Sequence, residues 1–147
     1  MKITIICIIS IPFILLSQQN GGSDANIGIW EMFEDEYIDT LEIFTQDNKY
    51  IGKLLGSGDP FDEHGNQRRD RNNPDVNLRN RPLMGIICLT DLIYVEDSVW
   101  DGGKMYYPKD GNIYSCKISL KNKNTIKARY YLGFSILGYS EKWNRIK

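Results

Sequence analysis

Between residues 59 and 85 the chain reads DPFDEHGNQRRDRNNPDVNLRNRPLMG, and this run holds most of what could do chemistry. It sets Asp59, Asp62, Glu63, Asp70 and Asp75 against Arg68, Arg69, Arg71, Arg79 and Arg81. Arg79 and Arg81, two apart before Pro82, point the same way in an extended segment and could grip a carboxylate or a phosphate. The competing reading pairs the arginines with Asp59, Asp70 or Asp75, so that they pin the loop to the rim of the fold. A hydrolytic triad needs a base, and the single histidine, His64, lies between Glu63 and Gly65 as a solvated turn residue. No Gly-x-Ser-x-Gly elbow is present. Cys and His do not cluster for zinc, the loop acids miss the EF-hand spacing, and no carboxylate pair stands out for glycoside hydrolysis. No cofactor and no metal are expected, and an enzyme is the least favoured class.

The residues around this run must position it, and their dominant pattern is alternation. From 114 to 120, Tyr114, Cys116, Ile118 and Leu120 fall on one face, with Ser115, Lys117 and Ser119 on the other. That is a half-buried antiparallel strand. From 126 to 132 the same period puts Ile126, Ala128, Tyr130 and Leu132 inside. Further strands are expected at 41–44, 50–55, 86–95, 99–107 and 139–146, with turns at 46–48, 96–98, 108–112 and 121–124. Asp110-Gly111 supplies a positive φ, and Gly102-Gly103 marks a bulge or sharp bend. No segment carries a helical apolar period over twelve residues. The fold class is therefore all-β, a small antiparallel up-and-down barrel with a long charged loop at 57–84 that is a lid, a binding loop or disordered. Closure would remove the exposed edges of an open sheet. Gly28 and Trp30 open the first strand, Trp143 and Arg145 lie in the last, and an Arg stacked on a Trp would close the floor.

At the N-terminus, Met1-Lys2, an apolar run from 3 to 16 and the polar Gln18-Gln19-Asn20 have the layout of a secretory signal peptide. The run is short for a spanning helix. The expected organisation is a leader at 1–19 and one domain at 20–147, exported to the periplasm or beyond, with no membrane span after cleavage. Cys88 and Cys116 then form an even pair in an oxidising compartment, which invites a disulfide. Strands two apart in a meander lie about 9–10 Å apart, too far for a bridge, and two buried thiols are the other reading. A formal net charge of −1 gives no pull toward nucleic acid.

A set of spaced motifs extends over nearly the whole expected mature chain. They are Gly28-x-Trp30, Asp59-Pro60, Asn72-Asn73-Pro74-Asp75, Leu78-Arg79-x-Arg81-Pro82-Leu83-x-Gly85, Trp100-x-Gly102-Gly103, Tyr107-Pro108-x-x-Gly111, Tyr114-Ser115-Cys116-Lys117, Gly133-x-Ser135-x-Leu137-Gly138 and Trp143-x-Arg145. On these residues the chain resembles the secreted bacterial family catalogued as domain of unknown function 2147. The C-G-x-x-C-G-like run common in that family is missing here, where the corresponding region reads QDNKYIG. The resemblance implies an exported lipocalin-like barrel and no assigned activity. The leading expectation is a non-enzymatic barrel holding one small apolar or amphipathic ligand in its mouth. Arg79, Arg81, Trp100, Tyr106, Tyr114 and Tyr130 are its candidate ligand residues, although Trp100 also reads as core packing. The alternative is an envelope interaction or maintenance module with a packed barrel and an unidentified protein partner.

Overall fold

The computed structural model describes residues 22–34 and 37–147. The expected leader at 1–19 lies outside the described residues. Eight strands follow one another: β1 (Gly28–Glu34), β2 (Tyr37–Gln46), β3 (Lys49–Gly56), β4 (Ile87–Glu96), β5 (Val99–Tyr107), β6 (Asn112–Asn122), β7 (Thr125–Tyr131) and β8 (Gly138–Arg145). Each pairs antiparallel with the next, and β1 pairs with β8, so the sheet closes into a barrel. At the seam Trp30 lies opposite Arg145 and Met32 opposite Trp143.

Alternation sets what the lumen receives. Leu41 and Ile43 of β2, Cys116 and Ile118 of β6, Ile126, Ala128 and Tyr130 of β7 and Trp143 of β8 are all buried. Register slips on β5 between Trp100 and Gly103, where Gly102 takes φ 73°. This is the bend that the Gly-Gly pair predicts. A Cβ on Gly103 would lie 2.7 Å from Leu92 Cδ1 and 3.0 Å from the Cys116 carbonyl oxygen, so a side chain there would force its neighbours to shift.

The two ends of the barrel differ. Connections after β2, β4 and β6 are tight, with positive φ at Asp47 and Asn48 and at Asp97 and Ser98. Beneath them Trp30, Trp100 and Trp143 are fully buried and fill the floor. The segment before β1 hooks under this floor. Trp100 Nε1 donates to the Ser23 carbonyl at 2.9 Å, and Trp30 Nε1 donates to the Asn26 carbonyl at 2.9 Å. The Arg145 guanidinium lies 4.1 Å over the Trp30 ring and donates to the carbonyls of Ala25, Ile27 and Lys123. The longer connections after β3, β5 and β7 gather at the opposite end and form the mouth. Cys88 and Cys116 are both free and buried, so the disulfide reading gives way to two thiols. They sit on β4 and β6, with β5 between them. Burial pushes the Cys88 thiol up to about 12 and raises Cys116 as well.

Candidate functional site

The charged loop between β3 and β4 is folded onto the barrel by its own residues. Asp70 is completely buried and is the hub. Its Oδ2 accepts from Arg81 Nε at 2.8 Å and from Asn73 Nδ2 at 2.8 Å, while the Tyr106 hydroxyl donates to Oδ1. Arg79 Nε donates to the Asn73 carbonyl at 2.7 Å, and Arg68 pairs with Asp59 at 2.5 Å. Asn72 Nδ2 donates to the Lys109 carbonyl at 2.7 Å, which ties the loop to the β5–β6 turn. Burial first, then the hydrogen bond and charge of Asp70, push the Tyr106 hydroxyl up to about 12. Arg68 and Arg81 thus pair with loop acids, while Arg79 holds a backbone carbonyl. Arg79 and Arg81 make their bonds within the loop and are not among the residues that line the cavity of the mouth.

Inside the mouth lies a cavity of about 250 Å³. Met32, Leu54, Cys88 and Met105 face it from the barrel. The loop adds Ser57, Asp59, Arg68 and Leu83 to its wall. Tyr37, Tyr106, Tyr107, Tyr114, Tyr130 and Tyr139 give it an aromatic lining. Of the sequence candidates, Tyr106, Tyr114 and Tyr130 are brought together here. Trp100 is not: it packs edge-on against Tyr50 and Tyr94 in the floor, so the core reading of that residue replaces the ligand platform. Tyr130 is 3% exposed and tilts against Tyr139 with ring centroids 5.1 Å apart. Its hydroxyl has no hydrogen-bond partner among the described residues, and burial raises its pKa well above the ordinary tyrosine value.

Two acids in the wall, Asp39 and Glu141, escaped the sequence reading. A signal for both was present. Asp39 keeps the parity of Leu41 and Ile43, and Glu141 keeps that of Trp143, so each belongs to an inward series. Asp39 Oδ1 accepts from the Gly58 amide at 3.2 Å. Glu141 Oε2 accepts from Trp143 Nε1 at 3.4 Å. Lys109 stands at the rim with its ammonium 5.6 Å from the Tyr37 ring and 5.9 Å from the Tyr107 ring.

A family model described as "Uncharacterized protein conserved in bacteria (DUF2147)" matches residues 28–145, from the first glycine of β1 to the arginine of the floor. The chain belongs to this family. Among solved structures it is similar to protein HP1028 of Helicobacter pylori, described as belonging to the lipocalin family. The two share 26% identity with a TM-score of 0.71, and the match covers 82% of each chain. No curated protein matches the chain. Membership in the DUF2147 family carries no reaction with it, and the closed eight-strand barrel resembles a lipocalin.

Proposed function

We propose that this member of the family is an exported, non-enzymatic carrier that holds one small ligand in the mouth of its barrel. The observation that carries this reading is the cavity itself. It lies at the loop-bearing end, has a largely aromatic and thioether wall, and is lined by Tyr130, whose hydroxyl has no hydrogen-bond partner among the described residues. Concave sites of this kind, apolar with a few placed polar groups, are where small molecules bind. A lumen meant only to be packed would be filled to the density of a protein interior. The test is native mass spectrometry of the chain expressed with its leader and recovered from the exported fraction. A bound small molecule that leaves on denaturation is the expected result. If nothing is released, and a broad panel of small amphiphiles leaves the melting temperature unchanged, the carrier reading falls.

The alternative, a module that docks on a protein partner, has one observation in its favour. Leu132, Phe134, Ile136 and Leu137 stand exposed together in the connection between β7 and β8. Arg129 holds that connection by donating to the carbonyls of Ser135 and Ile136. A contiguous apolar patch fixed in place suits a contact surface. Replacing Phe134 and Ile136 with serine would abolish partner capture on that reading and leave ligand release untouched on the first.

A further inference from the structure

We propose that the cavity selects a small organic cation, an alkylammonium or arylalkylammonium whose charged nitrogen sits between Asp39 and the tyrosine rings. This rests on the carrier reading above and names the class of its ligand.

The first observation is the sign of the wall. Asp39 lies opposite Met32 in the β1–β2 pair, and Met32 lies opposite Trp143 in the β1–β8 pair. Glu141 lies two residues along β8 from Trp143 on the same inward series, so Asp39 on β2 and Glu141 on β8 both line the cavity from strands on either side of β1. Asp39 uses Oδ1 on the Gly58 amide, and its Oδ2 has no partner among the described residues. Both cations in the lining belong to the mouth rather than to the strands, and both are engaged. Arg68 is held by Asp59, and Lys109 lies over two rings. A carboxylate or phosphate lodged at this wall would meet like charge in a site of reduced dielectric, whereas an ammonium would meet an acceptor.

The second observation is the lining of rings. Tyrosine faces attract cations within about 6 Å of the centroid, and more strongly when water is excluded. The protein already uses this chemistry at the rim, where the Lys109 ammonium lies over Tyr37 and Tyr107. Tyr107, Tyr114, Tyr130 and Tyr139 continue the aromatic surface inward. The third observation is the hydroxyl of Tyr130, a cavity-lining residue with no hydrogen-bond partner for that group among the described residues, which offers a hydrogen bond to a second polar atom of the ligand. Size sets the remaining limit. A cavity of about 250 Å³ is smaller than the roughly 300–1,000 Å³ that drug-sized ligands occupy, which favours a compact amine over a long acyl chain.

The experiment is calorimetric titration of the full exported chain with three probes of one shape: phenethylammonium, the neutral 2-phenylethanol and the anionic 3-phenylpropionate. Phenethylammonium is expected to bind at least about tenfold more tightly than either of the others. Asp39→Asn keeps the acceptor for Gly58, and it is expected to erase that preference. The comparison of probes is made on the unaltered chain, so it decides the question even if the variant is unstable. Equal binding of amine and alcohol, tighter binding of the propionate, or a co-purified ligand that bears an acid and no ammonium would overturn the cation inference and leave the carrier reading standing. Absence of any bound molecule, in the titrations and in native mass spectrometry alike, would remove both.

Discussion

Asp70 is the residue on which the order of the charged loop turns, because it is fully buried and its carboxylate takes three donors. One of them, Tyr106, carries a pH signature. Its folded pKa is raised to about 12 against an ordinary value of 10. The folded protein therefore keeps a proton that the unfolded chain releases above pH 10. Stability linked to this group is complete below pH 10 and is lost as pH climbs toward about 12. Tyr50, Tyr114, Tyr130 and Tyr131 are raised too and act in the same direction. Melting temperature is expected to drop between pH 10 and 12, and Tyr106→Phe should flatten part of that slope. A variant whose alkaline profile superimposes on the parent would refute the assignment. From sequence the five acids and five arginines of the loop were visible, but not their pairing. Arg81 meets Asp70 only because the loop folds back, and composition cannot say which of the five acids ends up buried.

Among elements, the β4–β5 hairpin is the one whose sequence fits its shape least well. Its central residues Asp97 and Ser98 take φ 47° and 63°. Mirror-type hairpin turns need positive φ at both positions, which aspartate tolerates and serine resists. Ser98→Gly is expected to stabilise the protein by about 1 kcal/mol, seen as a higher urea midpoint with an unchanged denaturant slope. The neighbouring β2–β3 turn has Asp47 and Asn48 in the same conformation and should gain less from the same change. Strand positions were legible in the alternation, since period two is written residue by residue. The short 3-10 turn at Ser135–Leu137, with its exposed apolar side chains, was not. Nothing in a local pattern tells an apolar residue facing solvent from one facing the core.

For the whole molecule, closure depends on the seam between the first and last strands. Arg145 joins β8 to the segment before β1 and to the β6–β7 turn through three carbonyl acceptors and the Trp30 ring. A lysine carries the charge but not the planar fork. Arg145→Lys is expected to cost about 2 kcal/mol, measured by urea unfolding. A loss no larger than that of an exposed lysine substitution such as Lys127→Ala would mean that the floor does not hold the barrel shut.

Read alone, the amino-acid order determined an antiparallel meander and the meeting of its ends. Alternation and turn residues are local signals, and Trp30 and Arg145 mark the two chain ends that meet at the seam. Which side chains the lumen leaves uncovered was decided only in three dimensions. The cavity is the space that remains after eight strands and a folded loop have each contributed their volume. Asp39 and Glu141 come to line one cavity only because closure sets β2 and β8 on either side of β1.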